Sequence, residues 1–335
     1  MTEVASSGAG RGRVSMRDVA LRAGVSGQTV SRVVNDSPRV DPATRARVEA
    51  AMAQLGYRPH RAARALRTGR THTIGLVVST LASVGNSRML QAVADAASHR
   101  GYALTVVTAA DADALAGAFE HLRDQGVDGA IVLNEATAAA RRTDAPADLA
   151  LVVVDSPADE QFGVVQSDHE AGGRAATEHL IALGHPTVWH LAGPEDSYAA
   201  TERERGWRAA LEGAGLVAPP VVRGDWTAAS GHSEGVALAE RGDVSAVFVA
   251  NDQMALGLLR ALAEAGRAVP GEVSVVGFDD IADAADYLPP LTTVRQEFDE
   301  LGERAVDALI GAIDGGSPKT DLVPTRLIVR ESTGG

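Results

Sequence analysis

Residues 15–35 read SMRDVALRAGVSGQTVSRVVN, and the fold turns on how that stretch is punctuated. Ser15 followed three residues on by Asp18 has the pattern of a capping box, so a helix is expected over Met16–Ala23 with Val19, Ala20 and Ala23 on one apolar face. Gly24 stops that helix, because glycine enters the left-handed conformation a tight turn requires. Val25 is a turn residue of the buried type. Ser26 then caps a second helix over Gly27–Asn35 that turns Val30, Val33 and Val34 inward. Asp41-Pro42 supplies an N-cap and a first-turn proline for a third helix, which runs through Val48, Ala51, Met52 and Leu55 to Gly56. Two short helices joined through a glycine turn and braced by a third make a helix-turn-helix. The second helix then offers Gly27, Gln28 and Arg32 to the major groove of double-stranded DNA. Gln bonds adenine bidentately and Arg bonds guanine, while Ser31 and Thr29 are short donors suited to phosphates. A plain three-helix bundle with a solvated Arg face has the same spacing, so charge has to separate the two readings.

The formal net charge of the 335 residues is −13, which by itself argues against a nucleic-acid partner. The average conceals a partition. Residues 1–72 hold 13 arginines against five acids (Glu3, Asp18, Asp36, Asp41, Glu49), a net of +8, leaving 18 basic and 39 acidic side chains elsewhere. A basic head on an acidic body is expected when one small module meets phosphates and the rest must not. The first 14 residues, MTEVASSGAGRGRV, are small and polar and read as a disordered tail rather than a signal peptide. No apolar run is long enough to span a bilayer. With no cysteine, disulfides and thiolate chemistry are excluded. A cytoplasmic protein with no membrane partner is expected.

From Thr73 onward, strand-like and helix-like segments alternate. Strands are expected at 74–79, 103–108, 129–133, 149–154, 187–191, 246–249 and 273–276. The intervening helices are expected near 87–100, 111–125, 171–183, 200–214 and 253–265. Repeated βα units imply an α/β fold with two doubly wound parallel sheets, whose ligand sites lie beyond the carboxyl ends of the strands. Polar residues gather there: Asp155 after VVV, Asn251-Asp252 after AVFVA, Asp279-Asp280 after VSVVGF. Arg203 lies near the start of a helix and Trp226 in the loop Gly224-Asp225-Trp226. Each alone reads as a cap, a turn residue or a surface ion pair. Together they are what a sugar needs: bidentate hydroxyl bonds and a stacking face.

The stretch from Val14 to Val77, with its DVA, AGVS, TVSRV and LGYRP motifs in register, resembles the lactose-repressor (LacI/GalR) family of bacterial regulators. The later motifs LVVVDS, EHLIALGH, GDWTAASG, VANDQMALG and VSVVGFDD extend the likeness to nearly the whole chain, closest to the lactose-responsive branch. The resemblance implies a two-lobed sensor similar to periplasmic sugar-binding proteins. It also implies this organisation: tail 1–14, helix-turn-helix 15–58, hinge helix and linker 59–72, an N-terminal lobe of 73–167 with about 296–324, and a C-terminal lobe of 168–295 with about 325–335. His60–Thr68, HRAARALRT, is helix-favouring, yet a segment that short is marginal alone. By resemblance it is the family's hinge helix, folding against its dimer mate in the minor groove with Leu66 as a wedge. DNA contacts are thus expected from Ser15, Ser26, Gly27, Gln28, Thr29, Ser31, Arg32 and Asn35, and from His60, Ala63 and Leu66.

The resemblance likewise assigns the effector site to Ser79, Asp155, Arg203, Trp226, Asn251, Gln253, Asp279, Gln296 and Phe298. The sequence departs from the lactose-responsive pattern in several places. An apolar wall is replaced by Ser83, Gly85 and Asn86, a pocket phenylalanine by Ser167, and an inward serine by Ala199; a pocket asparagine aligns with Leu133 or Asn134. In the reading head, Gly27 takes the place of a tyrosine. The pattern implies a repressor of sugar-utilisation genes, released from a palindromic operator by a sugar, with a corepressor such as a purine as the alternative. The leucine heptads of tetrameric members are missing, so a homodimer is expected. Catalysis is not expected: the nine histidines are scattered, and neither HExxH, a G-x-S-x-G elbow nor a Walker loop occurs. No metal or cofactor is implied. A transport binding protein shares the sensor fold but not the basic head.

Overall fold

The structure, a computed structural model, describes residues 14–34, 37–57, 69–109, 111–133 and 148–334. The expected tail, Asn35 and the expected hinge with His60, Ala63 and Leu66 lie outside the described residues, as does Asn134. The chain divides into two compact units, residues 1–71 and 72–335.

In the first unit, helices α1 (Met16–Ala23), α2 (Gly27–Val34) and α3 (Pro42–Leu55) enclose a core of Val19, Ala20, Val30, Val33, Val48 and Ala51. The capping box forms: Ser15 N donates to Asp18 Oδ2 at 2.8 Å and Asp18 N donates to Ser15 Oγ at 3.4 Å. The Ser15 amide, and after it the Ser15 hydroxyl, donate to the Asp18 carboxylate and hold it below its usual pKa. Gly24 is left-handed at φ 65° and lets Val25 N reach Ala20 O. Ser26 Oγ accepts Thr29 N at 3.1 Å, and Asp41 Oδ1 accepts Thr44 N at 2.9 Å. Arg22 ties α1 to α3 by two bonds to Gln54 Oε1, at 2.9 and 2.8 Å.

The second unit holds two six-stranded sheets. The first is built from β1 (Thr73–Val78), β2 (Ala103–Thr108), β3 (Gly129–Leu133), β4 (Ala150–Val154) and β5 (Gly163–Ser167), with helices α4 (Val84–His99) and α5 (Ala112–Asp124) between them. The chain then enters the second sheet through α6 (His169–Ala182), β6 (Trp189–Ala192), α7 (Tyr198–Gly213), β7 (Val222–Arg223) and α8 (Ala228–Ala239). It continues through β8 (Ala246–Val249), α9 (Asp252–Glu264), β9 (Ser274–Asp279), a 3-10 turn at Ala282–Asp286 and β10 (Thr292–Arg295). Helix α10 (Phe298–Ile313) and β11 (Thr320–Val323) return to the first sheet, and β12 (Arg326–Ile328) rejoins the second. The orders are β11-β5-β4-β3-β1-β2 and β12-β10-β9-β8-β6-β7, parallel throughout except for β12. In β1, Ile74, Leu76 and Val78 face one apolar cluster and Val77 the other, so the strand is buried on both sides as its unbroken apolar run predicts.

The chain therefore passes between the sheets three times, at Asp168, at Gln296-Glu297 and at Pro324-Thr325. The outer two passages are laced together: Asp168 N donates to Val323 O at 2.8 Å and Thr325 Oγ1 donates to Asp168 O at 3.1 Å. Strands β5, β7, β10, β11 and β12 and helices α8 and α10 were not among the expected elements. The strands are short and sit at crossovers or edges, where pairing comes from distant residues. Glycines at 231 and 235 dilute the helical pattern of α8.

Helices α6 and α7 pack backbone to backbone through Gly206. A methyl group there would lie 2.1 Å from Glu170 O and 2.7 Å from Arg174 N, neither of which can yield without moving a helix. Gly206→Ala is expected to cost about 1–3 kcal/mol by overpacking, read as a lower urea midpoint at unchanged slope. A midpoint equal to that of the parent would mean that the two helices are free to separate.

Candidate functional site

On the first unit, the helical period that buries Val30 and Val33 leaves Gly27, Gln28 and Arg32 exposed, the last two one turn apart. Ser26, Thr29 and Arg32 share a shallow surface hollow with Arg39 and Thr44. Ser26 Oγ and Thr29 Oγ1 are 3.0 Å apart, and Ser31 is half-buried. Ser15 is exposed at the start of α1, its hydroxyl donating to Asp18 at 2.7 Å. Side chains able to read a base edge thus stand on one exposed helix face, flanked by hydroxyls of the kind that bond phosphate.

On the second unit, the carboxyl ends of both sheets border one cleft. Seven of the nine expected effector residues line it: Asp155, Arg203, Trp226, Asn251, Asp279, Gln296 and Phe298. Asp155 ends β4, Asp279 ends β9, Asn251 follows β8, and Gln296 and Phe298 come from the second crossover. Three of the five described non-glycine residues with positive φ are here: Asp155 at 55°, Trp226 at 75° and Asp279 at 114°. Unfavourable backbone of this kind persists only where the surroundings hold it, and it gathers at ligand sites.

The surroundings are a buried polar network. Arg203 Nε donates to His169 Nδ1 at 3.3 Å, and His169 Nε2 lies 2.9 Å from Asp155 Oδ1. Ser167 N donates to the same Asp155 oxygen at 3.2 Å. Arg203 also donates to Ala250 O, lies 3.6 Å from Asp279 Oδ1, and stacks 3.8 Å above the Phe278 ring. Gln296 Nε2 donates to Asp279 Oδ1 at 2.6 Å. Burial pushes the Asp279 carboxyl above its usual pKa, opposed by Arg203 and Gln296. Behind it, Asp252 is pushed well above the carboxylate range by burial and by the Asp279 charge, while accepting Thr293 Oγ1 at 2.6 Å and Ile281 N at 2.9 Å. Asn251 works on both ends: Oδ1 accepts Met254 N at 2.8 Å to cap α9, and Nδ2 donates to Trp226 O at 3.0 Å. Gln296 Oε1 and Trp226 Nε1 are buried without a hydrogen-bond partner among the described residues, as is Ser167 Oγ. Buried polar atoms without a partner are uncommon, and two of these three belong to residues that line the cleft.

Two expected effector residues are placed elsewhere. Ser79 is half-buried past the end of β1, and Gln253 bonds a backbone amide of the other lobe; neither lines the cleft. Ser83, Gly85 and Ala199, singled out above as departures, do line it. Asn86 is buried and donates to Thr80 O at 2.9 Å instead, and Leu133 lies in the apolar core. Met89 and Ser197 line the cleft without having been expected. Ser197 could have been found as the N-cap of a helix opening at a strand end, whereas Met89 has no sequence signal apart from core periodicity.

The indole of Trp226 rests on Gly193, where a methyl group would lie 2.3 Å from the ring. Gly193→Ala is expected to displace the indole toward solvent and shift tryptophan emission to the red, since Trp189 and Trp207 stay buried. An unshifted spectrum would show that the ring can be seated without this close approach.

Residues 15–60 match the model of bacterial regulatory proteins of the lacI family, and residues 177–333 that of a periplasmic binding protein-like domain. The lactose operon repressor of Escherichia coli (strain K12) is 38% identical over 330 residues, covering 96% of this chain and 91% of the relative. The lac repressor dimer bound to operator and the anti-inducer ONPF superposes with a TM-score of 0.84 at 36% identity, over 97% of this chain and 100% of that one. A complex of the transcriptional regulator CelR with cellobiose gives 0.73 at 36% identity, over 96% and 100%.

Proposed function

Because the chain belongs to the lacI family of bacterial regulatory proteins, we propose that it is a homodimeric repressor of sugar-utilisation genes that leaves a palindromic operator when an uncharged sugar fills its cleft. It is a regulator rather than an enzyme, and it acts in the cytoplasm. The observation that carries this reading is the lining of the cleft: an indole, two carboxylates and two amides brought together at the carboxyl ends of the two sheets. The relatives' names agree with it. Two of them pair this fold with a lactose operon and with cellobiose, and one structure is a dimer on operator.

Charge narrows the ligand. Among the described residues that line the cleft Arg203 is the one cation, and its guanidinium is already engaged by Asp279, Ala250 O and His169. Asp155 and Asp279 leave the lining with a surplus of carboxylate. A phosphate or sugar acid would enter against like charge at low dielectric, whereas a neutral hydroxyl can donate to either carboxylate.

On the reading head, Gln28 and Arg32 take the base-reading roles, with Ser15, Ser26, Thr29 and Ser31 on phosphates. Two-fold symmetry of the protein demands a palindromic operator. Release is a population shift. The sugar binds one arrangement of the two lobes better than the other, and that arrangement holds the paired heads out of register.

In a gel shift on the palindromic operator, cellobiose or lactose is expected to release the complex, while the phosphorylated sugars leave it intact. A neutral sugar at 100 times its dissociation constant should also stabilise the protein by about 2.7 kcal/mol. Tighter operator binding in the presence of a purine would overturn the inducer reading in favour of a corepressor. Arg32→Ala is expected to cost about 1–3 kcal/mol per half-site on the preferred operator and little on sequences changed at the base it reads. An equal loss on every sequence would demote Arg32 to a phosphate contact.

A further inference from the structure

Gln253 was expected to touch the effector, yet its side chain is committed elsewhere. It is the second residue of α9 in the C-terminal lobe, half-buried, and its Oε1 accepts the Val84 N–H at 2.9 Å. Val84 opens α4 in the N-terminal lobe. Its amide is one of the first four of a helix, which have no acceptor within the helix itself. Ser83 Oγ caps Asn86 N at 3.3 Å, so Gln253 supplies from the other lobe an acceptor that Ser83 leaves unprovided. The Val84 side chain makes a second crossing, packing against the apolar cluster of the C-terminal lobe that includes Met254 and Leu258.

The position of this contact gives it leverage. The three covalent passages run through β5, β10, β11 and β12, at one side of each sheet. Strand β1, which leads into Val84, is three strands from β5, roughly 14 Å at ordinary strand spacing. Near the passages the lobes are also joined by Tyr198 Oη donating to Gln166 Oε1 at 2.8 Å, but that bond starts from β5 itself and cannot restrain the far side. Gln253 stands on a fixed platform. Asn251 caps its helix and holds the Trp226 carbonyl, and Asp252 is anchored on Ile281 N and Thr293. The residues on either side of Val84, Ser83 and Gly85, both line the cleft.

We propose that Gln253 is a positioning residue: it latches the two lobes on the side away from the crossovers and thereby sets the distance between the Trp226 wall and the Ser83–Gly85 rim. The inference rests on the cleft being the effector site. The latch acts through the backbone of Val84 and not through contact with the ligand, so its removal weakens every ligand of the cleft by the same factor.

The test uses the full-length protein and the variants Gln253→Ala and Gln253→Glu, the latter keeping an acceptor oxygen. Without ligand, hydrogen exchange of the peptide spanning Leu81–Ser87 should rise in Q253A and stay at the parental rate in Q253E. By calorimetry, Q253A should bind cellobiose and lactose roughly fivefold to tenfold more weakly, equally for both, the scale of one lost hydrogen bond. Q253E should recover most of that affinity. Unchanged exchange in Q253A overturns the latch. A loss confined to one sugar overturns the positioning role and makes Gln253 a direct contact. Should the parental protein bind neither sugar, the reading of the cleft as a site for these disaccharides fails, while the exchange measurement still decides whether the latch exists.

Discussion

A guanidinium taken out of water has to be surrounded by acceptors, and Arg203 meets that demand by drawing on both halves of the sensor. Through His169 it reaches Asp155 at the end of a strand of the first sheet. Directly it meets Asp279 and the carbonyl of Ala250 at strand ends of the second. Its flat face lies on Phe278. The charge therefore fixes where two sheets end relative to each other, and the carboxylates it holds are the groups a hydroxylated ligand would bond. Removing Asp279 would take away the carboxylate beside the buried Arg203 charge, so the network that binds is also a network that orders the fold.

That double duty explains the unusual backbone around the cleft. Asp155, Trp226 and Asp279 adopt positive φ values that a side chain disfavours. Each is held by contacts to residues distant in sequence: Asp155 by the Ser167 amide with His169 alongside, Asp279 by Gln296, and Trp226 through its carbonyl by Asn251. The strain is offset by contacts between residues distant in sequence, two of them within a lobe and two, His169 with Asp155 and Gln296 with Asp279, between the lobes. A cleft whose two carboxylates take part in cross-lobe contacts is sensitive to how the lobes are set, and a ligand that favours one setting can in turn bias it.

The partition of charge along the chain follows the same economy of roles. A head with a net of +8 and a body that is strongly acidic keep phosphate binding confined to one face. Inside the body, the one cation among the described lining residues is already bonded, which favours neutral hydroxyls over anions.

What the sequence determined by itself was local. Ser15 with Asp18, Ser26 with Thr29 and Asp41 with Thr44 are bonds across three residues, and Gly24 is a turn within one helix pair, so spacing alone exposes the reading face of Gln28 and Arg32. Most apolar strands and the polar residues at their ends were legible for the same reason: burial on both faces leaves an unbroken run, and the run stops at a carboxylate or amide. Tertiary structure decided what depends on contacts between distant residues. The short strands at the crossovers pair with partners far along the chain, and Gly206 and Gly193 matter only because another helix or an indole rests on them. Ser79, Ser83 and Gln253 all stand near strand ends and look alike in sequence. Only the meeting of the two lobes puts Ser83 in the cleft, leaves Ser79 outside it, and spends Gln253 on an amide across the gap.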